Sequence, residues 1–149
     1  MGKGNYLDLD KFEVGDPLPD FTKSPITKVQ LVRYAGASGD FNPIHTDDTA
    51  AKKMGLKGVI AHGPLIMGFA SQAICRWVPK YNLRRFKVRL MGRSYPGDVI
   101  TISATVVDKT ETRGGTRVLC EIIARDQNEE KKLSGYFEVV IHKWKGEIP

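Results

Sequence analysis

Apolar positions fall into two regimes along this chain. Up to about residue 79 they recur at helical spacing or fill a continuous run, and beyond it they alternate. Thr27-Lys28-Val29-Gln30 has the form of a capping box, with Thr27 as N-cap, Gln30 reaching back, and Ile26 and Leu31 at the staple positions. Leu31, Tyr34, Ala35 and Ser38 follow at helical spacing, and Gly39 is placed to stop the helix. A short second helix is predicted from Asp47 to Met54, capped by Thr46, with acidic residues at its start, Lys52 and Lys53 at its end, and Gly55 closing it. A third opens at Gly63-Pro64 and ends at Pro79. Its apolar residues cover most of the circumference, which predicts a helix enclosed by other structure.

Four alternating runs come next: Phe86–Leu90, Ile100–Val106, Val118–Arg125 and Leu133–His142. Turn signals at Pro96-Gly97, Gly114-Gly115 and Asp126-Gln127-Asn128 separate them and predict an antiparallel meander. Phe12–Phe21 reads as an extended entry segment and residues 1–11 as a flexible leader. The expected fold class is α+β, with the 149 residues forming one domain in which a curved sheet wraps a buried helix.

Composition narrows the function classes. Hydrophobic residues are 41% and charged residues 27%, as in a soluble globular chain, and the formal charge of +6 favours anionic partners. Gly58–Cys75 carries no Lys, Arg, Asp or Glu, but His62, Gly63, Pro64, Ser71 and Gln72 make it a buried helix and its approach rather than a membrane span. No secretory leader is read at the N-terminus. Cys75 and Cys120 both sit in apolar runs and are expected to be buried free thiols, which suits a reducing, cytoplasmic setting. No residue cluster has metal-ligand spacing and no phosphate-binding glycine loop is present.

The chemistry concentrates in Ser38-Gly39-Asp40-Phe41-Asn42-Pro43-Ile44-His45. Proline forces the preceding residue into extended geometry, so this stretch bends rather than continuing a helix. Such a bend can aim the Asp40 carboxylate and the His45 imidazole at one water, which is the arrangement of a general acid/base pair. Taken alone, Asp40 would be a turn residue and His45 a satisfied packing residue. Asn42 and Pro43 read as loop geometry, His62 as a residue ordering the loop before the third helix, and His142 as a strand-end residue.

Tyr34-Ala35-x-x-Ser38-Gly39-Asp40-x-Asn42-Pro43-Ile44-His45-x-Asp47, followed by Ile60-Ala61-His62-Gly63, resembles the signature of MaoC-like dehydratases, which include the (R)-specific enoyl-CoA hydratases. The resemblance implies a hot-dog fold and reversible hydration of trans-2-enoyl thioesters to (3R)-hydroxyacyl thioesters. Asp40 and His45 would hold and activate the water. Gly63 would offer its backbone N–H to the thioester oxygen at the positive end of the helix. Asn42, His62 and Ser71 would support them. Position 64 is proline where many relatives have methionine, which removes one possible donor from the helix end. The family reading needs no metal or redox cofactor. It implies an acyl-CoA or acyl-carrier-protein substrate and a homodimer or larger homo-oligomer.

A basic cluster follows the third helix. Lys80, Arg84, Arg85 and Arg89, with Lys87 and Arg93, would suit the phosphates of coenzyme A. A solvated strand face is the plainer account. Aromatics for base stacking are sparse there, which argues against a nucleic-acid module. Within the fold, the rival functions are a thioesterase and a non-catalytic acyl-binding subunit of a heteromeric dehydratase. The latter would be expected to lack the Asp/His pair.

Overall fold

The computed structural model describes residues 6–142. Three helices and five strands follow in chain order: β1 (Phe21–Thr22), α1 (Lys28–Ser38), α2 (Asp48–Lys53), α3 (Gly63–Trp77), β2 (Leu83–Leu90), β3 (Thr101–Thr112), β4 (Gly115–Arg125) and β5 (Lys131–Ile141). The strands form one antiparallel sheet in the order β1-β3-β4-β5-β2. This is the α+β hot-dog arrangement.

Alternation decides which face of the sheet is covered. Ile102, Ala104 and Val106 of β3, Val118, Cys120, Ile122 and Ala124 of β4, and Leu133, Phe137 and Val139 of β5 are buried. They meet Leu65, Ile66, Phe69, Ala70, Ala73, Ile74 and Trp77 of α3 in one apolar cluster. Each fully buried large side chain of this kind contributes about 1.5–3 kcal/mol. Trp77 stacks against Phe137 with ring centroids 6.1 Å apart, and its indole N–H donates to the Pro19 carbonyl at 2.9 Å. Gly135 lets β2 lie close on β5, because a Cβ there would collide with the Lys87 backbone.

The meander holds only for β3, β4 and β5. β2 pairs with β5, so residues 91–100 are not a hairpin but a strap crossing to the far side of the sheet. Turn residues such as Pro96-Gly97 mark a reversal without saying which strand the chain will meet next. The entry segment is extended only from Asp16 to Phe21, with Pro17 bridging Thr105 and β1 pairing with β3, because the chain first turns at Val14-Gly15, where the Asp16 N–H donates to the Glu13 carbonyl.

Four further expectations need correction. Residues 6–11 are not a loose leader: Leu9 is buried, the Leu7 N–H donates to the Trp77 carbonyl, and Lys109 donates to the Asp10 and Phe12 carbonyls. Residues 1–5 of that expected leader lie outside the described residues. α2 is capped by Asp47, whose carboxylate accepts from the Thr49 and Ala50 N–H groups, while Thr46 ends the preceding 3-10 turn. α3 is not enclosed all round, because Pro64, Gln72, Cys75 and Arg76 form an exposed stripe. Cys75 is therefore exposed rather than buried; Cys120 is buried as expected.

Candidate active site

Two backbone devices build the Asp40–His45 loop. Gly39 ends α1 in the left-handed region at φ 75°, where its N–H still closes on the Ala35 carbonyl. The chain then turns twice on its own side chains. Asp40 Oδ1 accepts from the Asn42 N–H at 3.2 Å, and Asn42 Oδ1 accepts from the Ile44 N–H at 3.2 Å. Asn42 is extended ahead of Pro43, and Pro43–His45 forms one 3-10 turn. Asn42 thus serves the geometry that the sequence indicated.

The fold brings Asp40, His45 and His62 together, and Gly63 follows His62 at the start of α3. His45 Nε2 lies 3.7 Å from Asp40 Oδ2, beyond a direct hydrogen bond but close enough for one oxygen to reach both. The His45 side chain is 9% exposed and that of Asp40 51%, so the pair has an open side. His45 Nδ1 lies 2.7 Å from the Ile60 carbonyl, which can only accept. That bond puts the proton of the neutral ring on Nδ1 and leaves the Nε2 lone pair facing Asp40. His62 is 1% exposed, and its Nε2 donates to the Asp40 backbone carbonyl at 3.1 Å. The His62 ring is sandwiched, with His45 stacked at 3.7 Å and Tyr34 tilted at 4.8 Å. This arrangement supports the ordering role for His62.

Gly63 begins α3, and its N–H has no hydrogen-bond acceptor among the described residues. A first-turn N–H of this kind carries part of the positive end of the helix dipole. Leu90, at the end of β2, packs over the Gly63 Cα where a side chain would otherwise stand. Pro64 occupies the next position of the first turn without disturbing the helix.

Asp40, His45 and His62 also place one possible metal-ligand atom each within 4.8 Å of one another. Sequence spacing did not reveal this cluster; the fold assembles it from two loops. The two rings stack with planes only 21° apart, so their in-plane lone pairs run side by side. Zinc-type ligands must converge at tetrahedral angles, which this stacking opposes. His45 Nδ1 and His62 Nε2 are bonded to carbonyls, and the buried His62 Nδ1 has no hydrogen-bond partner among the described residues.

The remaining candidates lie apart from this group. The Ser71 hydroxyl donates to the Met67 carbonyl one turn back along α3, at 3.0 Å. Arg84 is tied to the Tyr81 and Leu83 carbonyls and to His142 Nε2. Arg85 lines a groove of about 290 Å³ with Lys87, Arg117 and Tyr136, on the sheet face turned away from α3. Lys80 is exposed just before β2. Only Arg89, next to Leu90, stands at the strand end that meets Gly63. Arg84 lies at the other end of β2, roughly 17 Å away along the strand. Ile60 stands in the Ile60–Gly63 motif with no role assigned to it, because it acts through its backbone carbonyl, and Leu90 reads as an ordinary strand residue.

Comparison with known proteins bears on the family and the fold. Residues 11–126 match the family described as MaoC like domain. The chain is 32% identical over 104 residues to the peroxisomal hydratase-dehydrogenase-epimerase of Saccharomyces cerevisiae, covering 69% of this chain and 11% of that protein. It is 30% identical over 105 residues to the peroxisomal enoyl-CoA hydratase 2 of Arabidopsis thaliana, covering 68% of this chain and 31% of that one. The chain thus spans under a third of either relative's length. Among solved structures, the R-hydratase PhaJ1 of Pseudomonas aeruginosa superposes with a TM-score of 0.77 at 25% identity, covering 97% of this chain and 94% of that one.

Proposed function

As a member of the MaoC-like dehydratase family, this chain, we propose, reversibly hydrates trans-2-enoyl thioesters of coenzyme A or acyl-carrier protein to (3R)-hydroxyacyl thioesters. The observation that carries this reading is the His45 Nε2 lone pair facing Asp40 across 3.7 Å; Gly63, next in the chain to His62, begins α3 with an N–H that has no acceptor among the described residues. The (R)-hydratase and enoyl-CoA hydratase names among its relatives support it.

In the forward direction a water held between Asp40 and His45 loses a proton to the pair as its oxygen bonds to Cβ. Electron density moves through Cα onto the thioester oxygen, where the Gly63 N–H and the helix dipole stabilise it. The proton then passes to Cα, restoring the thioester and the resting pair. Dehydration is the same path reversed. His62 keeps the Asp40 backbone in place, and the Ile60 carbonyl keeps His45 in the tautomer that can accept. This path requires no metal or redox group.

Cations on and just before β2 suit the phosphates of the thioester handle, with Arg89 nearest the reacting end and Arg85 and Lys80 farther out. Among the described residues, β2 has no neighbour on its outer side. An open strand edge of this length invites pairing, so the working form is proposed to be a homodimer or larger assembly. Light scattering at micromolar concentration tests this, and a mass near 16.6 kDa would contradict it.

Loss of ultraviolet absorbance from crotonyl-CoA, with chiral analysis of the product, tests the reaction. Asp40→Asn and His45→Gln should each lower turnover by about 10²–10⁴-fold with melting temperature preserved. Because both act on one water, the double variant should be little worse than the poorer single one. Release of free coenzyme A without hydroxyacyl product would instead identify a thioesterase.

A further inference from the structure

A buried lysine lies among the residues that the proposed chemistry leaves out. Lys132, at the start of β5, is 3% exposed, yet all three of its N–H donors are satisfied. It donates to Asp126 at 3.1 Å, to Glu130 at 2.9 Å and to the backbone carbonyl of Arg93 at 2.7 Å. Asp126 is held by the β4–β5 turn, whose Asn128 and Glu130 N–H groups donate to its other oxygen. Burial alone would disfavour the Asp126 charge, but the bonds from Lys132 and these two N–H groups outweigh it and hold its pKa below the ordinary value. A buried ion pair is a poor way to gain stability, since desolvation offsets most of the attraction. The carbonyl of Arg93 suggests another use.

Arg93 belongs to the strap leaving β2. Met91 and Gly92 donate to the carbonyls of Lys132 and Lys131. Gly92 permits this contact, because a Cβ would stand 2.7 Å from Glu130 Oε1 and 3.0 Å from the Lys131 carbonyl. The strap then reaches the segment leading into α3, where the Ser94 carbonyl accepts from the Ala61 N–H at 2.8 Å. Ala61 sits between the two backbone groups the reaction uses. Ile60 before it orients His45, and Gly63 after it would supply the N–H for the thioester oxygen. Leu90, at the other end of the strap, packs on Gly63 itself.

We infer that Lys132 is a positioning residue: by pinning the Arg93 carbonyl it sets the strap that holds Ile60–Gly63 in register with His45 and Asp40. The inference rests on the hydratase reading of the site, but the link from Lys132 to Ala61 can be measured without turnover. An ammonium suits the task because it can meet three acceptors from three separate directions.

Lys132→Met alone leaves the buried Asp126 unpaired and risks misfolding. Lys132→Met/Asp126→Asn removes both charges, while the asparagine oxygen still accepts from the turn. Hydrogen exchange at the Ala61 amide, with crotonyl-CoA kinetics below the melting transition, forms the test. The expected result is faster exchange at Ala61 and a fall in kcat of about 10–100-fold, since displacements near 1 Å suffice for such losses. KM should stay within about threefold, because the handle contacts are untouched. Unchanged exchange at Ala61, or unchanged kcat in a folded double variant, would overturn the inference. Failure of the unaltered chain to hydrate crotonyl-CoA, or any longer enoyl thioester, would count against the hydratase reading itself; Ala61 exchange would then still decide whether Lys132 sets the strap.

Discussion

The imidazoles of His45 and His62 stack with centroids 3.7 Å apart and planes 21° apart. One ring faces the Asp40 carboxylate and the other donates to the Asp40 backbone. Both halves of Asp40 are thus set by histidines that are themselves locked together, which makes the loop and the start of α3 one unit.

Two substitutions separate the donor from the stack. His62→Phe keeps a ring against His45 and Tyr34 but removes the N–H that holds the Asp40 carbonyl. His62→Gln loses the ring and keeps an N–H donor able to reach that carbonyl. An uncharged hydrogen bond contributes about 0.5–1.5 kcal/mol, so turnover of the Phe variant is expected to fall up to about tenfold. The Gln variant should retain more. Crotonyl-CoA kinetics with parallel melting curves check this; lower activity in the Gln variant than in the Phe variant would assign the effect to stacking.

Gly63 and Leu90 offer a second probe. A methyl at position 63 meets the tip of the Leu90 side chain. Gly63→Ala should therefore shift the helix start or force Leu90 aside, at a cost of about 1–3 kcal/mol. Shortening the partner in Gly63→Ala/Leu90→Ala should recover part of the lost activity and stability. Additive losses in that double-mutant cycle would mean the two positions do not press on each other.

The two thiols should behave differently. Cys120 faces the core of β4, and burial pushes its pKa up to about 12, so it carries almost no thiolate at neutral pH. Cys75 is exposed on α3. Titration with a chromogenic disulfide is expected to find one reactive thiol per folded chain and two in denaturant. Two fast thiols in the native protein would contradict the buried position of Cys120.

What the sequence revealed follows from range. Thr27, Gly39 and Asn42 act within a few residues, and each does what its local pattern indicated. The Asp40–His45 loop was legible for the same reason. Long-range partners were not. Nothing in the alternation of Phe86 and Val88 distinguishes pairing with β5 from pairing with β3. Nor could Lys132 be told from its exposed neighbour Lys131, because its burial depends on a turn at one end of β4 and a strap from β2. The exposed stripe of α3 escaped because counting apolar residues ignores which small or sulfur-bearing ones face outward. Ile60 escaped because a backbone carbonyl has no residue type to announce it.

Asp48 gives a prediction in pH. Its carboxylate accepts from Lys28 at the start of α1 and from the Val59 N–H at 3.0 Å. It therefore ties both helices to the segment that leads into Ile60. The Lys28 bond comes first and the Val59 N–H second in holding its pKa below the ordinary 3.8, against a smaller opposing effect of burial. A depressed pKa means the folded state holds the charged form more firmly than the unfolded chain does. The resulting stabilisation is full above 3.8 and fades as pH falls through the lower, folded value. Asp48→Asn should thus melt below the unaltered protein at neutral pH, and the gap should close as the solution is taken below that value. Melting curves from pH 7 downwards check the sign. A gap that stayed constant into acid would show that the asparagine loses packing or geometry rather than charge.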